Sequence, residues 1–162
     1  MKKMLVAIQC LEMMALAVWV GGLITIIAAV IPAVFNSIGM EAGGRMLTRT
    51  FQGYDRLVLI SAGVLMVGLL ARTHLSTDAG ARIGTEALLF TIMLTIAVFL
   101  TLYLNPEIVR LQEAAFASQG EATKRSAYDA FFRLHKIARA LYLLNFALGI
   151  VAIWVKVRKW SR

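Results

Sequence analysis

The sequence has few of the residues that stabilise many small domains: a single cysteine, Cys10, two prolines and two histidines. One cysteine cannot form an intrachain disulfide or provide the paired thiolates of a structural zinc site. With so few prolines, and with glycines concentrated inside apolar runs, the composition also differs from that of disordered chains. A disulfide framework and a paired-cysteine zinc site are therefore excluded, and disorder is disfavoured.

Charge is scarce as well. Charged residues make up 16% of the chain and hydrophobic residues 60%, whereas soluble domains average about 25% and about 45–50%. The net charge is +8, but the basic residues flank apolar segments and form no continuous stripe. We therefore expect the lipid bilayer, and no nucleic acid, as the partner of this chain.

Long apolar runs dominate the sequence. Residues 15–32 carry no charge, and the apolar character extends back to residue 4 with Glu12 as its one charged interruption. A helix needs about 20 mostly apolar residues to cross a bilayer. We predict a first span over about residues 4–31, which Pro32 ends or kinks. Because Glu12 lies inside the run and the run is so long, we expect no cleaved signal peptide.

Three further apolar runs cover about residues 54–72, 83–105 and 137–157. Interfacial helical segments are predicted over about 41–51 and 107–135, the second broken by Gly120. We therefore predict one domain over residues 1–162, an all-α integral membrane protein built as an antiparallel bundle of four transmembrane helices.

An even number of spans places both termini on one side of the membrane. Basic residues are denser in the short segments on that side than in the two longer connections. Because short, basic-rich segments stay in the cytoplasm, we predict an inner (plasma) membrane protein with cytoplasmic termini.

A row of small residues follows one side of the first span: Ala17, Gly21, Thr25 and Ala28, with Gly22 beside it. Small residues let helices approach closely in lipid. We therefore predict a packing face within the bundle and a homodimer formed through such a face. The alternative is that Gly21 and Gly22 make room for a ligand against the backbone.

Five short motifs occur in a fixed order along the chain. They are Trp19-Val20-Gly21-Gly22-Leu23, Pro32 with Phe35, Gly44-Arg45-Met46-Leu47, Asn105-Pro106-Glu107-Ile108, and Phe132-Arg133-Leu134-His135. Together they resemble the family of small four-span membrane proteins typified by transmembrane protein 205, and more distantly copper-resistance-D-like membrane domains. The resemblance implies a four-helix membrane bundle and a loose association with resistance to metal-containing drugs.

His135 is the first candidate for chemistry, because Phe132-x-x-His135 matches that family pattern. It shares one helical face with Phe132 and Arg139. Imidazole titrates near neutral pH and is a common metal ligand, which favours a proton-accepting or metal-contacting role. The alternative is an interfacial histidine hydrogen-bonded to the backbone or to Asn105.

Several polar residues are predicted on the same side of the membrane as His135, where they would line a polar mouth over the bundle. The candidates are His135, Arg139, Arg133, Asn105, Glu107, Arg45 and Arg49, with Asp55, Arg56 and Arg110 nearby. Such a mouth suits an anionic headgroup or solute. The alternative is a solvated rim.

Glu12 is a second candidate, because an ionisable side chain within a membrane span is costly and by default indicates function. The partners expected on its side are Arg72, His74 and Arg82. The alternative is a carboxylate that extends to the headgroups from an overhanging helix.

Cys10, Met13 and Met14 lie at i, i+3 and i+4, a spacing that would present soft ligands to Cu(I). Methionines are also ordinary filler in apolar bundles, so these residues are weak candidates and the metal remains open. His74 and His135 fall on opposite sides of the bundle and cannot ligate one haem together.

The sequence shows no Ser-His-Asp order, paired carboxylates, phosphate loop or redox thiol pair. No catalytic residue is predicted, an enzyme is disfavoured and the cofactor stays open. The favoured function is binding or transport of a small solute or a metal-related compound, in a resistance-type role. A haem- or quinone-dependent membrane oxidoreductase and a structural or assembly partner are the alternatives.

Overall fold

The computed structural model describes residues 2–75, 80–118 and 120–160, which are helical apart from short turns. The elements in chain order are α1 (Lys2–Thr25), a π-helical turn (Ile26–Val30), α2 (Ile31–Ser37), α3 (Met40–Leu75), α4 (Gly80–Phe99), a second π-helical turn (Leu100–Leu104), α5 (Asn105–Ala117) and α6 (Glu121–Trp160).

Four helical stretches are long and apolar enough to cross a membrane: Lys3–Ser37, Met40–Leu75, Gly84–Ala117 and Glu121–Lys159. The predicted all-α class with four membrane-spanning helices is confirmed. At about 1.5 Å per residue, the 36 residues of α3 and the 40 of α6 measure about 54 Å and 60 Å. Both lengths exceed the hydrocarbon thickness of about 30 Å, so α3 and α6 extend beyond the membrane. Where each span begins and ends within its helix stays a prediction.

Both prolines follow a π-helical turn. Pro32 is the second residue of α2 and Pro106 the second residue of α5. A proline has no N–H, and its ring clashes with the carbonyl four residues earlier. The wider turn avoids this clash: the N–H of Ile31 binds the carbonyl of Ile26, and the N–H of Asn105 binds that of Leu100. Helical structure therefore continues to Ser37, past the predicted first span.

The connection between α2 and α3 is only Ile38 and Gly39. The segment 41–51 is continuous with the rest of α3. A Cβ added at Gly43 would lie 3.2 Å from Val34 Cγ1. Gly43 therefore allows α3 to pack closely against α2. This packing stabilises the helical form of residues 41–51.

The predicted segment 107–135 divides into α5 and the first part of α6. α5 ends at Ala117 and α6 begins at Glu121, next to Gly120, where the break was expected. α1 and α4 each pack against both α3 and α6, and α5 packs against α6. The core contains Leu16, Trp19, Leu65 and Met93, each 0–2% exposed.

Candidate functional site

Each of the four long helices contributes one buried charged side chain near the terminus side, the side at which α1 begins and α6 ends. These side chains are Glu12, Arg72, Glu86 and Lys156. Lys159, one turn after Lys156, also contacts Glu86. We call these five residues the ionic cluster.

The ionic cluster surrounds each carboxylate with cations. Arg72 bridges the two, with Nε 3.1 Å from Glu12 Oε1 and Nη2 2.5 Å from Glu86 Oε2. Lys156 Nζ pairs with Glu12 Oε2 and lies 3.4 Å from Glu86 Oε2. Lys159 Nζ donates to Glu86 Oε1 at 2.5 Å. Glu12 thus contacts two cations and Glu86 three.

A glycine makes room for the cluster. A Cβ added at Gly68 would lie 2.5 Å from Oε1 and 2.8 Å from Cγ of Glu12. On the other side, the Phe90 ring centroid lies 5.6 Å from Lys156 Nζ, within the range of a cation–π contact. The cluster is therefore closely packed as well as paired.

Burying a charge costs several kcal/mol unless it is well paired. In the ionic cluster the compensating charge always comes from another helix, since Glu12, Arg72, Glu86 and Lys156 belong to α1, α3, α4 and α6. The pairing therefore favours one mutual register of the four helices over shifted ones.

A third buried carboxylate lies toward the opposite side of the bundle. Asp55 is 4% exposed. Its Oδ2 accepts a hydrogen bond from Asn105 Nδ2 at 2.6 Å, and its Oδ1 accepts one from the Tyr142 hydroxyl at 2.7 Å. Asn105 Nδ2 also donates to the Tyr142 oxygen at 2.8 Å. We call these three residues the Asp55 triad; within the described part of the chain, Asp55 forms no ion pair.

Aromatic rings surround the triad. The ring centroids of Phe51 and Tyr54 lie 5.4 Å and 6.2 Å from that of Tyr142. The Tyr54 hydroxyl donates to the Trp19 carbonyl at 2.8 Å, and its ring packs on Gly22, where a Cβ would lie 3.0 Å from Cε2. The hydroxyl group that binds Asp55 therefore belongs to a cluster of aromatic side chains.

Both polar groups fit within the thickness of one bilayer. Gly68, which contacts Glu12, is thirteen residues from Asp55 along α3, or about 20 Å at 1.5 Å per residue. Glu86 and Asn105 are nineteen residues apart, or about 28 Å. Both separations are below the hydrocarbon thickness of about 30 Å. Between the two groups, residues 87–104 and 143–155 carry no charge, and on α3 the one charged residue is Arg56, next to Asp55.

Residues 14–117, well over half of the chain, match the family described as Domain of unknown function (DUF4149). The chain belongs to the DUF4149 family. No curated protein and no solved structure matches it. The matched range includes four residues of the two polar groups: Asp55, Arg72, Glu86 and Asn105.

In this DUF4149 protein, the hydrogen bonds and ion pairs of the described residues join none of the seven predicted polar-mouth residues to one another. Asn105 belongs to the Asp55 triad. Arg45 pairs with Glu113 at 3.0 Å. Glu107 pairs with Arg110 at 2.5 Å. Each is occupied by a different partner, so a shared mouth stays a prediction.

Arg49, Arg133, His135 and Arg139 are exposed. The ring of His135 stacks on that of Phe131, with centroids 5.5 Å apart. Among the hydrogen bonds of the described residues, those of the Asn105 amide go to Asp55 and Tyr142, and none joins His135 to Asn105.

The two histidines lie near opposite ends of the bundle. α3 and α6 run in the same direction and meet where Asp55 contacts Tyr142. His74 lies nineteen residues after Asp55 and His135 seven residues before Tyr142, which places them about 39 Å apart along the axis. Within one chain they cannot ligate the same haem.

The partner expected for Glu12 is confirmed in Arg72. His74 is exposed instead, and the side chain of Arg82 lies outside the described residues. The alternative, in which Glu12 extends to the headgroups, does not hold, because its side chain is fully buried. Its depth in the membrane stays a prediction.

The proposed soft-metal face does not form a closed site. Cys10 and Met14 are exposed on the bundle exterior, while Met13 packs against the core. Across the described residues, no group of three or more His, Cys, Asp or Glu side chains is placed to hold a metal ion. A copper site at these residues stays a prediction.

The small-residue face predicted on α1 is largely external. Gly22 packs on Tyr54, but a Cβ at Gly21 would meet nothing within 4 Å, and Ala17 and Thr25 are exposed. Successive helical residues point about 100° apart, so Gly21 and Gly22 cannot face the same neighbour. Gly22 makes the packing contact, and a homodimer through the outer face stays a prediction.

Sequence reasoning did not single out Glu86, Lys156 or Tyr142, and it placed Asp55 near the predicted polar mouth, with a solvated rim as the alternative. One signal was present in the sequence. Each apolar run has a charge at its terminus-side end, and the four charges are two acidic and two basic. Their mutual compensation was therefore deducible once the spans were assigned.

Proposed function

We propose that this membrane protein binds and moves a small solute, and that Asp55 takes up the proton coupled to that movement. One observation supports the proposal. Asp55 is a buried carboxylate held by two neutral groups, the Asn105 amide and the Tyr142 hydroxyl.

The surroundings of Asp55 differ from those of the two carboxylates in the ionic cluster. Glu12 and Glu86 have cations within contact distance, whereas the hydrogen-bond partners of Asp55 among the described residues are uncharged. A buried carboxylate without a compensating charge is costly, and more so within a bilayer. Binding of a proton removes that cost.

The triad is also suited to both states of the carboxyl group. A tyrosine hydroxyl both donates and accepts. When Asp55 is ionised, the Tyr142 hydroxyl donates to it; when Asp55 is protonated, the same oxygen can accept the carboxyl proton. Asn105 and Tyr142 are partly exposed, so the proposed access to Asp55 is from the side opposite the termini.

We expect Asp55→Asn to abolish proton movement driven by a pH step. The amide keeps the size of the side chain and cannot take up a proton. The measurement is proton flux in liposomes containing the purified protein, followed with an internal pH-sensitive dye after a pH step with the membrane potential clamped. Asp129→Asn, which changes an exposed carboxylate of α6, is the matched control and should retain the wild-type flux.

Equal flux in wild type and Asp55→Asn would refute the coupling role. If protein-free liposomes show the same proton flux as liposomes that contain the wild-type protein, a structural or assembly role is favoured over transport. Infrared difference spectra supply an independent readout, because wild type should show a protonated-carboxyl band that titrates and that Asp55→Asn lacks.

The resemblance to the transmembrane protein 205 family extends the proposal to the solute, a metal-containing compound handled in a resistance-type role. That extension is supported by the resemblance alone. The haem version of the oxidoreductase alternative is tested by the absorption spectrum of protein expressed with ample haem; a Soret band would favour it.

The proposed orientation in the inner membrane, with cytoplasmic termini, is tested by cysteine labelling in a Cys10→Ala background. Ser126 and His74 are exposed at opposite ends of the bundle. We expect Ser126→Cys to react with a membrane-impermeant maleimide on intact cells, and His74→Cys to react only after permeabilisation. The reverse pattern would place the termini outside.

A further inference from the structure

Two buried side-chain atoms of the described residues have no hydrogen-bond partner, Thr101 Oγ1 and Asn145 Oδ1. Buried polar atoms are nearly always hydrogen-bonded, so each exception requires an explanation. Both lie in the uncharged stretch between the Asp55 triad and the ionic cluster, one on the second π-helical turn and the other on α6.

Asn145 is 3% exposed, and its Nδ2 donates to the Met93 carbonyl at 3.3 Å. Exchanging the oxygen and nitrogen of the Asn145 amide does not give both atoms a partner. The amide oxygen would then face the Met93 carbonyl, which has no proton to donate, and the NH₂ group would have no acceptor. The surroundings are apolar: a Cβ at Gly149, one turn further along α6, would meet Val20 and Met93.

Thr101 differs from other threonines of the bundle. The hydroxyls of Thr25, Thr50 and Thr95 each donate to the carbonyl four residues earlier, at 2.9–3.0 Å. Thr101 lies within the second π-helical turn, Leu100–Leu104, and makes no such bond. Its hydroxyl is therefore available to another partner.

The positions along the helix axis place these atoms at successive levels between the Asp55 triad and the ionic cluster. Thr101 precedes Asn105 by four residues, or about 6 Å toward the terminus side. Met93, whose carbonyl binds Asn145, lies eight residues further in the same direction, or about 12 Å. Glu86 of the ionic cluster follows after seven more residues, or about 10 Å.

We propose that internal water molecules bind Thr101 Oγ1 and Asn145 Oδ1 and form a hydrated file that leads from the Asp55 triad toward the ionic cluster. Water fits because it is small and supplies the donor that Asn145 Oδ1 lacks, as internal waters commonly do for buried polar groups. The file fills from the triad side, where Asn105 and Tyr142 are partly exposed. This inference concerns hydration and does not require the proposed transport.

Hydroxyl-radical footprinting of the wild-type protein in detergent tests the file. Radicals generated from bound water modify the side chains beside it, and modified peptides are identified by mass spectrometry. Met93 is 0% exposed and its carbonyl binds Asn145. We expect Met93 to be oxidised although it is buried. Absence of modification at Met93 in the folded wild-type protein would overturn the inference.

Two variants locate the water. Asn145→Leu and Thr101→Val keep the size of each side chain and remove its polar atom, so each should lose most of the labelling at Met93. Met40, which is 78% exposed, should be labelled equally in all three proteins. Unchanged labelling at Met93 in both variants would contradict water binding at these atoms. If Asp55→Asn loses proton flux but Met93 of the wild-type protein is not labelled, the hydrated file is refuted and the proposed function is still supported.

Discussion

Gly68→Ala should destabilise the folded protein strongly, by about 3–5 kcal/mol, the usual cost of breaking a buried ion pair. The added methyl group would lie 2.5–2.9 Å from Oε1, Cγ and Cδ of Glu12. Glu12 cannot move aside cheaply, because Arg72 and Lys156 hold its two oxygens. The measurement is chemical unfolding of the purified protein in detergent micelles.

Gly63→Ala is the matched control on the same helix. A Cβ at Gly63 would meet nothing within 4 Å, and alanine is the better helix former, so this variant should be no less stable than wild type. If both alanine variants unfold at the same denaturant concentration, Glu12 does not occupy the space beside Gly68.

Glu86→Gln should also lower the free energy of unfolding by about 3–5 kcal/mol. Glu86 contacts Arg72, Lys156 and Lys159. Without its charge, the three cations share the single carboxylate of Glu12, and the amide that replaces it directs an NH₂ group toward them. Unfolding in micelles and the yield of membrane-inserted protein both report the loss.

Glu107→Gln provides the comparison, because Glu107 pairs with Arg110 on the exposed surface, where ion pairs contribute little. Its unfolding curve should match that of wild type. Adding Lys156→Met to Glu86→Gln should recover part of the lost stability, since an apolar residue of similar size is tolerated where an unpaired cation is not. A further loss in the double variant would contradict charge imbalance as the cause.

These predictions concern residues whose partners are remote in sequence. Glu12 is 60 residues from Arg72 and 144 from Lys156, and Asp55 is 87 residues from Tyr142. Spacing within one helix cannot reveal such pairs. The four apolar runs did place Glu12 and Arg72 on the same side of the membrane, which is why Arg72 was among its expected partners.

The sequence by itself determined the fold class and the number of spans. Hydropathy measures the preference of a segment for hydrocarbon over water, and a charge-free run of about 20 residues has a helix across the bilayer as its stable arrangement. The break at Gly120 and the continuation of helix past Asn105-Pro106 were also readable, because they depend on local backbone chemistry.

Only the tertiary structure decided which way each residue faces. Lipid tails are as apolar as the core of the bundle, so hydropathy does not distinguish the inside of the bundle from its lipid-facing surface. That is why Gly21 and Gly22 could not be separated by sequence, although Gly22 packs on Tyr54 and Gly21 faces outward. For the same reason Asp55 was placed near a polar mouth at the membrane surface, whereas it is buried in the bundle and hydrogen-bonded to Asn105 and Tyr142.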